Sequence, residues 1–133
     1  MLARLTIREN GPPLEATSVA ELDQMIASAA EEARRLETPN IIFIKASSGN
    51  EISMVVGSPE TVLAFTYGHL DPPYYASKGK SREEAPVFTA FVSMNHHTEY
   101  PRKWVIPLSD GMRAVREFVN SGDLPTSIEW ETL

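Results

Sequence analysis

The chain has no cysteine among its 133 residues. Disulfide staples, thiolate metal sites and a cysteine nucleophile are excluded together, and a thiol-free chain suits a reducing compartment. Long apolar runs are missing too: a run such as residues 41–44 has the length of a strand, far short of the roughly 20 residues that cross a bilayer, so no membrane partner is expected. The first nine residues lack an apolar h-region and a small-residue cleavage site, so no secretory signal is visible and a cytoplasmic location is expected. Absent as well are a Gly-rich phosphate loop, a G-x-S-x-G elbow and a carboxylate pair with glycosidase spacing. Positive charge is the scarcer sign, with twelve Lys and Arg against eighteen Asp and Glu. The resulting −6 opposes the phosphate neutralisation on which nucleic-acid binding depends, and it suits either simple solubility or a basic protein partner.

What is present describes an ordinary folded domain: 42% hydrophobic and 23% charged residues, with no linker, repeat or low-complexity tract dividing residues 1–133. Residues 2–8 alternate apolar Leu5 and Ile7 with Arg4, Thr6 and Arg8, as a half-buried strand does, before Asn10, Gly11, Pro12 and Pro13 stop it. Val19, Leu22, Ile26, Ala29, Ala33 and Leu36 then recur at helical spacing. Ser18 and Glu21 make a capping box at the start, and Thr38-Pro39 makes a stop. Residues 40–46 and 51–56 predict an antiparallel pair, and residues 61–67 extend it into a meander. Residues 74–77 predict a short strand, residues 86–94 a central one and residues 104–106 another. Leu108, Met112, Val115, Phe118 and Val119 predict a second helix from Ser109 or Asp110 to Gly122, and residues 127–131 a final edge strand. The expectation is one α+β domain, a mainly antiparallel sheet of about six to eight strands with two helices packed on it. Trp104 and Trp130 are read as core.

Chemistry concentrates in Asn95-His96-His97-Thr98-Glu99, where two imidazoles and a carboxylate invite a metal or a shared proton. In an extended segment His97 and Glu99 point to one side and His96 to the other, so at most two ligands converge, and only His69 remains as a further imidazole. His97-Thr98-Glu99 also matches the H-x-E half of the zinc deaminase signature, but the P-C-x-x-C half requires cysteine. The cluster is therefore read as a surface or structural pair, without metal, cofactor or catalysis. A small metal-dependent enzyme using His96, His97 and Glu99 is the alternative. Lys78, Lys80 and Arg82, with Tyr74 and Tyr75 nearby, form a loop that Glu83 and Glu84 mark as solvated rather than phosphate-binding.

Several segments in order carry a family likeness: Ile42-Phe43-Ile44, Gly49-Asn50-Glu51-Ile52-Ser53-Met54-Val55-Val56-Gly57, Tyr74-Tyr75-Ala76-Ser77 and His97-Thr98-Glu99-Tyr100-Pro101. Trp104, Ile106-Pro107, Ala114, Phe118, Ser121-Gly122 and Leu124-Pro125 follow, before Trp130. From residue 40 to the end the chain resembles the first-numbered immunity protein family of bacterial polymorphic toxin systems. The resemblance implies an α+β protein that is not an enzyme. It implies an antitoxin that binds, one-to-one in the cytoplasm, a cognate nucleic-acid-targeting toxin of deaminase type. Complementary charge between an acidic inhibitor and a basic toxin agrees with it. Three surfaces are expected to meet that partner. The first joins Tyr74 and Tyr75 to the polar junction of residues 95–100, with His96, His97, Glu99 and Tyr100, in irregular backbone where binding residues collect. The second is the acidic face of the first helix, and the third the C-terminal edge around Asp123, Glu129 and Glu131.

Overall fold

A computed structural model describes residues 1–7, 11–81, 88–93 and 96–133, with the side chains of residues 92, 93 and 96 outside the description. Arg82, Glu83 and Glu84 of the expected solvated loop, both ends of the expected 86–94 strand, and Asn95 lie outside the described residues.

The first strand, β1 (Ala3–Thr6), turns back into β2 (Leu14–Ala16), a strand the proline pair concealed in the sequence. Helix α1 (Val19–Arg35) begins at Ser18, whose hydroxyl accepts from the Glu21 amide at 3.1 Å. The reciprocal half of the capping box is displaced by one residue, since Glu21 accepts from the Thr17 amide and hydroxyl. The helix ends in a Schellman turn: Thr38 N–H reaches the Ala33 carbonyl, Glu37 N–H reaches that of Arg34, and Glu37 sits at φ 55. Strands β3 (Asn40–Ala46) and β4 (Glu51–Val56) form the antiparallel pair at the expected residues.

The expected strand over residues 61–67 is two pieces, β5 (Glu60–Thr61) and β6 (Leu63–Thr66). The buried Thr61 hydroxyl explains the break. It accepts from Val55 N–H at 3.1 Å and donates to the Val55 carbonyl at 2.8 Å, taking the ladder position at Val55 that a continuous strand would fill. After β7 (Tyr75–Ser77) come β8 (Phe88–Ser93) and β9 (His96–Tyr100), so the junction expected to be irregular is a strand over its described part, its pairing with β8 shifting register between Phe91 and Ser93. Trp104 stands in a 3-10 turn, Arg102–Trp104, instead of a strand, because Pro101 and Arg102 carbonyls accept from the Trp104 and Val105 amides. Strand β10 (Ile106–Pro107) follows and pairs with β5.

Helix α2 (Leu108–Ser121) starts one or two residues earlier than capping chemistry suggested, since the Leu108 N–H is satisfied by the Pro59 carbonyl without a side-chain cap. Gly122, at φ 75, ends it as expected. The last strand, β11 (Trp130–Thr132), begins later than expected because Glu117 holds the amides of Thr126 and Ser127.

Among the described residues the main sheet has nine strands, in the order β11-β7-β6-β4-β3-β1-β2, with β8 joined to β3 and β9 joined to β8. Every pairing is antiparallel except β3 with β8. The place of that exception has a simple cause: β4 occupies one edge of β3, while β1 covers only residues 43–46 of the other, leaving the Asn40 end to β8.

Both faces of the sheet centre are covered. On one, Leu22, Ile26 and Ala33 of α1 and Ala114, Val115 and Phe118 of α2 pack on Ile42, Ile44, Ile52, Met54 and Phe65. On the other, Ile41, Val55, Val62, Ala90, Tyr100 and Val105 form a second, smaller core. This is why β3 reads Ile41-Ile42-Phe43-Ile44 instead of alternating. Each fully buried side chain of that size contributes about 1.5–3 kcal/mol. Trp104 and Trp130 pack against these cores, each half-buried with its indole N–H bonded, to Glu131 and to the Pro125 carbonyl respectively.

Candidate functional site

The residues expected to meet a partner fall on separate parts of the molecule. His97 and Glu99 lie on the same side of β9, exposed, with Nε2 and Oε1 3.6 Å apart. Only β8 pairs with β9 among the described residues. Tyr100 points inward into the second core beside Trp104, and burial pushes its hydroxyl pKa up to about 12. His96 is in β9, but its side chain lies outside the described residues. Tyr74 and Tyr75 are at β7, with β8, β3, β4 and β6 between them and β9 in pairing order. The structure therefore brings His97 to Glu99, whereas Tyr74 bonds to the Leu70 carbonyl and Tyr75 packs on the Phe65 and Tyr67 rings. Among the described residues no three His, Asp or Glu side chains converge as a metal would require.

The Tyr74–Tyr75 end is built from the core outward. Phe65, fully buried on β6, stands edge-on to Phe118 of α2 at 5.9 Å and to Tyr67 at 5.0 Å, and also meets Tyr75 and Trp130. Tyr67 in turn stacks on His69, with centroids 5.3 Å apart and planes within 16°. The Tyr67 hydroxyl is held above its ordinary pKa by burial first, then by the neighbouring Tyr75 and by Asp123.

From this ladder the loop of residues 68–74 projects. Gly68 N–H donates to Asn50 Oδ1, Leu70 N–H to the Tyr67 carbonyl, Asp71 N–H to His69 Nδ1, and the Tyr74 hydroxyl to the Leu70 carbonyl at 2.8 Å. Leu70 stands at φ 66 with 72% of its surface exposed, the most exposed large hydrophobic side chain among the described residues. The left-handed conformation costs a Leu about 1–2 kcal/mol. Sequence reading passed over Leu70, although a lone Leu among Gly68, His69, Asp71, Pro72 and Pro73 had no periodic partner with which to be buried.

The third expected surface is partly engaged internally. Glu131 accepts from the Trp104 indole at 2.9 Å and pairs with Lys103 at 3.3 Å, whereas Asp123 and Glu129 are exposed. Beside Glu129 and Glu131 an open cleft of about 920 Å³ is lined by Lys78, Lys80, Lys103 and Arg113 as well as by these carboxylates and Asp110. Cations and anions both line it, and none of the described lining residues is a His. On α1, the second expected surface, Asp23 is bonded to Arg116 of α2 and Glu32 lies 3.8 Å from Arg35.

The family model described as Immunity protein Imm1 matches residues 10–132, nearly the whole chain. No curated protein matches it.

Proposed function

The chain belongs to the Imm1 immunity protein family, and on that premise we propose that it is the antitoxin of a bacterial polymorphic toxin system. In this role it binds one-to-one, in the cytoplasm, to a cognate toxin domain that attacks nucleic acid by deaminase chemistry, and it neutralises that toxin without catalysing a reaction of its own. The observation that carries the proposal is the family match over residues 10–132, since an immunity protein acts by binding a cognate toxin protein. The net charge of −6 supports it, because an enzyme that handles nucleic acid is expected to be basic and opposite charge speeds and orients the encounter.

Tyr74 and Tyr75 beside β7, and His96, His97 and Glu99 on β9, are the proposed contacts, with the buried Tyr100 holding β9 from beneath. The alternative of a metal-dependent enzyme has only the His97–Glu99 pair to stand on among the described residues.

Co-expression with the toxin encoded beside this gene tests the proposal. Growth is restored and the two chains co-purify in equal amounts. Neither rescue nor a complex would end the proposal. Cells given the toxin alone accumulate deaminated bases, and if they die without them the deaminase assignment fails while the antitoxin role stands.

A further inference from the structure

Resting on the toxin-binding role proposed above, we propose that the loop of residues 68–74 is the anchor of the interface. Leu70 and Tyr74 insert into an apolar pocket on the toxin, and Asp71 meets a cation at its rim.

Two facts about Leu70 point outward. It adopts a left-handed backbone conformation in which a Gly would be unstrained, and its side chain is mostly in solvent, so the strain is not offset by packing inside this protein. A bulky apolar residue held this way serves what it faces. Its neighbours continue the same character, since Pro72, Pro73 and Tyr74 are exposed and Leu133, also exposed, is tied by its N–H to the Tyr74 carbonyl.

The loop is also stiff. The Tyr74 hydroxyl locks the Leu70 carbonyl, Gly68 is fastened to Asn50, and the run of ring contacts from His69 through Tyr67 to Phe65 roots the base in the main core. A Cβ on Gly68 would press on the Gly49 backbone, so the base is in close backbone contact with the β3–β4 turn. Such an anchor loses little conformational freedom on binding, which is how a few aromatic and aliphatic side chains come to dominate an interface. The partner's chemistry follows from the charge. Asp71 is exposed in the loop beside Leu70, so the pocket that fits is apolar within and basic at its edge.

Binding to the purified toxin domain encoded beside this gene is measured by calorimetry for the parent protein and for Leu70→Asp, Leu70→Gly, Tyr74→Ala and Leu36→Asp. Leu36 is exposed at the end of α1, by the Asn40 end of β3, whereas the loop adjoins the opposite end of that strand. Leu70→Asp, Leu70→Gly and Tyr74→Ala are expected to weaken binding by roughly 30-fold or more, the size of a hot-spot truncation, while Leu36→Asp binds as the parent does. Leu70→Gly unfolds at the same temperature or higher, which separates lost contact from lost structure. Parent-like affinity in the Leu70 and Tyr74 variants would overturn the anchor while leaving the antitoxin role intact. A parent protein that binds no toxin would overturn the antitoxin role itself. A self-associating free protein that Leu70→Asp disperses, with toxin affinity unchanged, would show that the patch covers a second copy and would also overturn the proposal.

Discussion

Single side chains close this fold where regular backbone pairing stops, and Glu117 shows how. From α2 it accepts the Thr126 amide at 2.5 Å, the Thr126 hydroxyl at 3.1 Å and the Ser127 amide at 3.1 Å, fixing the segment that leads into β11. These bonds, the Thr126 amide foremost, hold its carboxyl below the ordinary 4.5. A folded pKa below the unfolded one favours the native state above pH 4.5, and that advantage fades as pH falls through the lower folded value. Glu117→Gln is expected to cost about 1 kcal/mol at neutral pH, with the gap to the parent narrowing in acid. Urea unfolding across pH checks this, and a gap independent of pH would disprove it. Glu37 gives the opposite sign. At φ 55 it occupies the C′ position where Gly is preferred, so Glu37→Gly should stabilise the protein by up to about 1 kcal/mol, read as a higher urea midpoint at constant slope. The helix end was legible from Thr38-Pro39. The left-handed residue was not, because Glu gives no sign of that conformation.

At the scale of elements, strands β3 and β4 and the body of both helices were legible because their apolar spacing is set by burial alone. The elements that escaped are those whose ends are set by distant hydroxyls and carbonyls. Ser77, fully buried, donates to the Trp104 carbonyl at 2.7 Å and accepts from Leu63 N–H at 3.0 Å, tying β7 to the 3-10 turn and to β6. Nothing in the local pattern around Trp104 announces an acceptor for a serine so far away in the chain, so the turn reads as strand. Ser77→Ala leaves both backbone groups without a partner and is expected to cost about 1–3 kcal/mol in a urea titration. A loss below a few tenths of a kcal/mol would mean that water replaces the hydroxyl. Strand β2 escaped for another reason: three residues after a proline pair are too few to show a period.

For the whole molecule, the α+β class followed from pattern, but the division of the expected binding residues between two ends of the sheet did not, because chain order hides that β9 hangs from β8 on the far side of β3. Tyr74 and Tyr75 are proposed on residue type alone, whereas Leu70 can be proposed only when exposure and backbone angle are known together. Charge is the one property of the complete chain that its composition states outright, and it bears on kinetics more than on fold. In the proposed role, a chain of charge −6 meeting a basic toxin should associate under long-range attraction, which salt screens beyond roughly 10 Å at 0.1 M. The apolar contacts at Leu70 and Tyr74 act only after encounter and should govern dissociation. Stopped-flow association is therefore expected to slow about tenfold or more as salt rises from low to about 0.5 M, with dissociation nearly constant. Leu70→Asp should reverse this division, dissociating faster with its association rate little changed. An association rate that ignores salt would show that the acidity serves solubility alone.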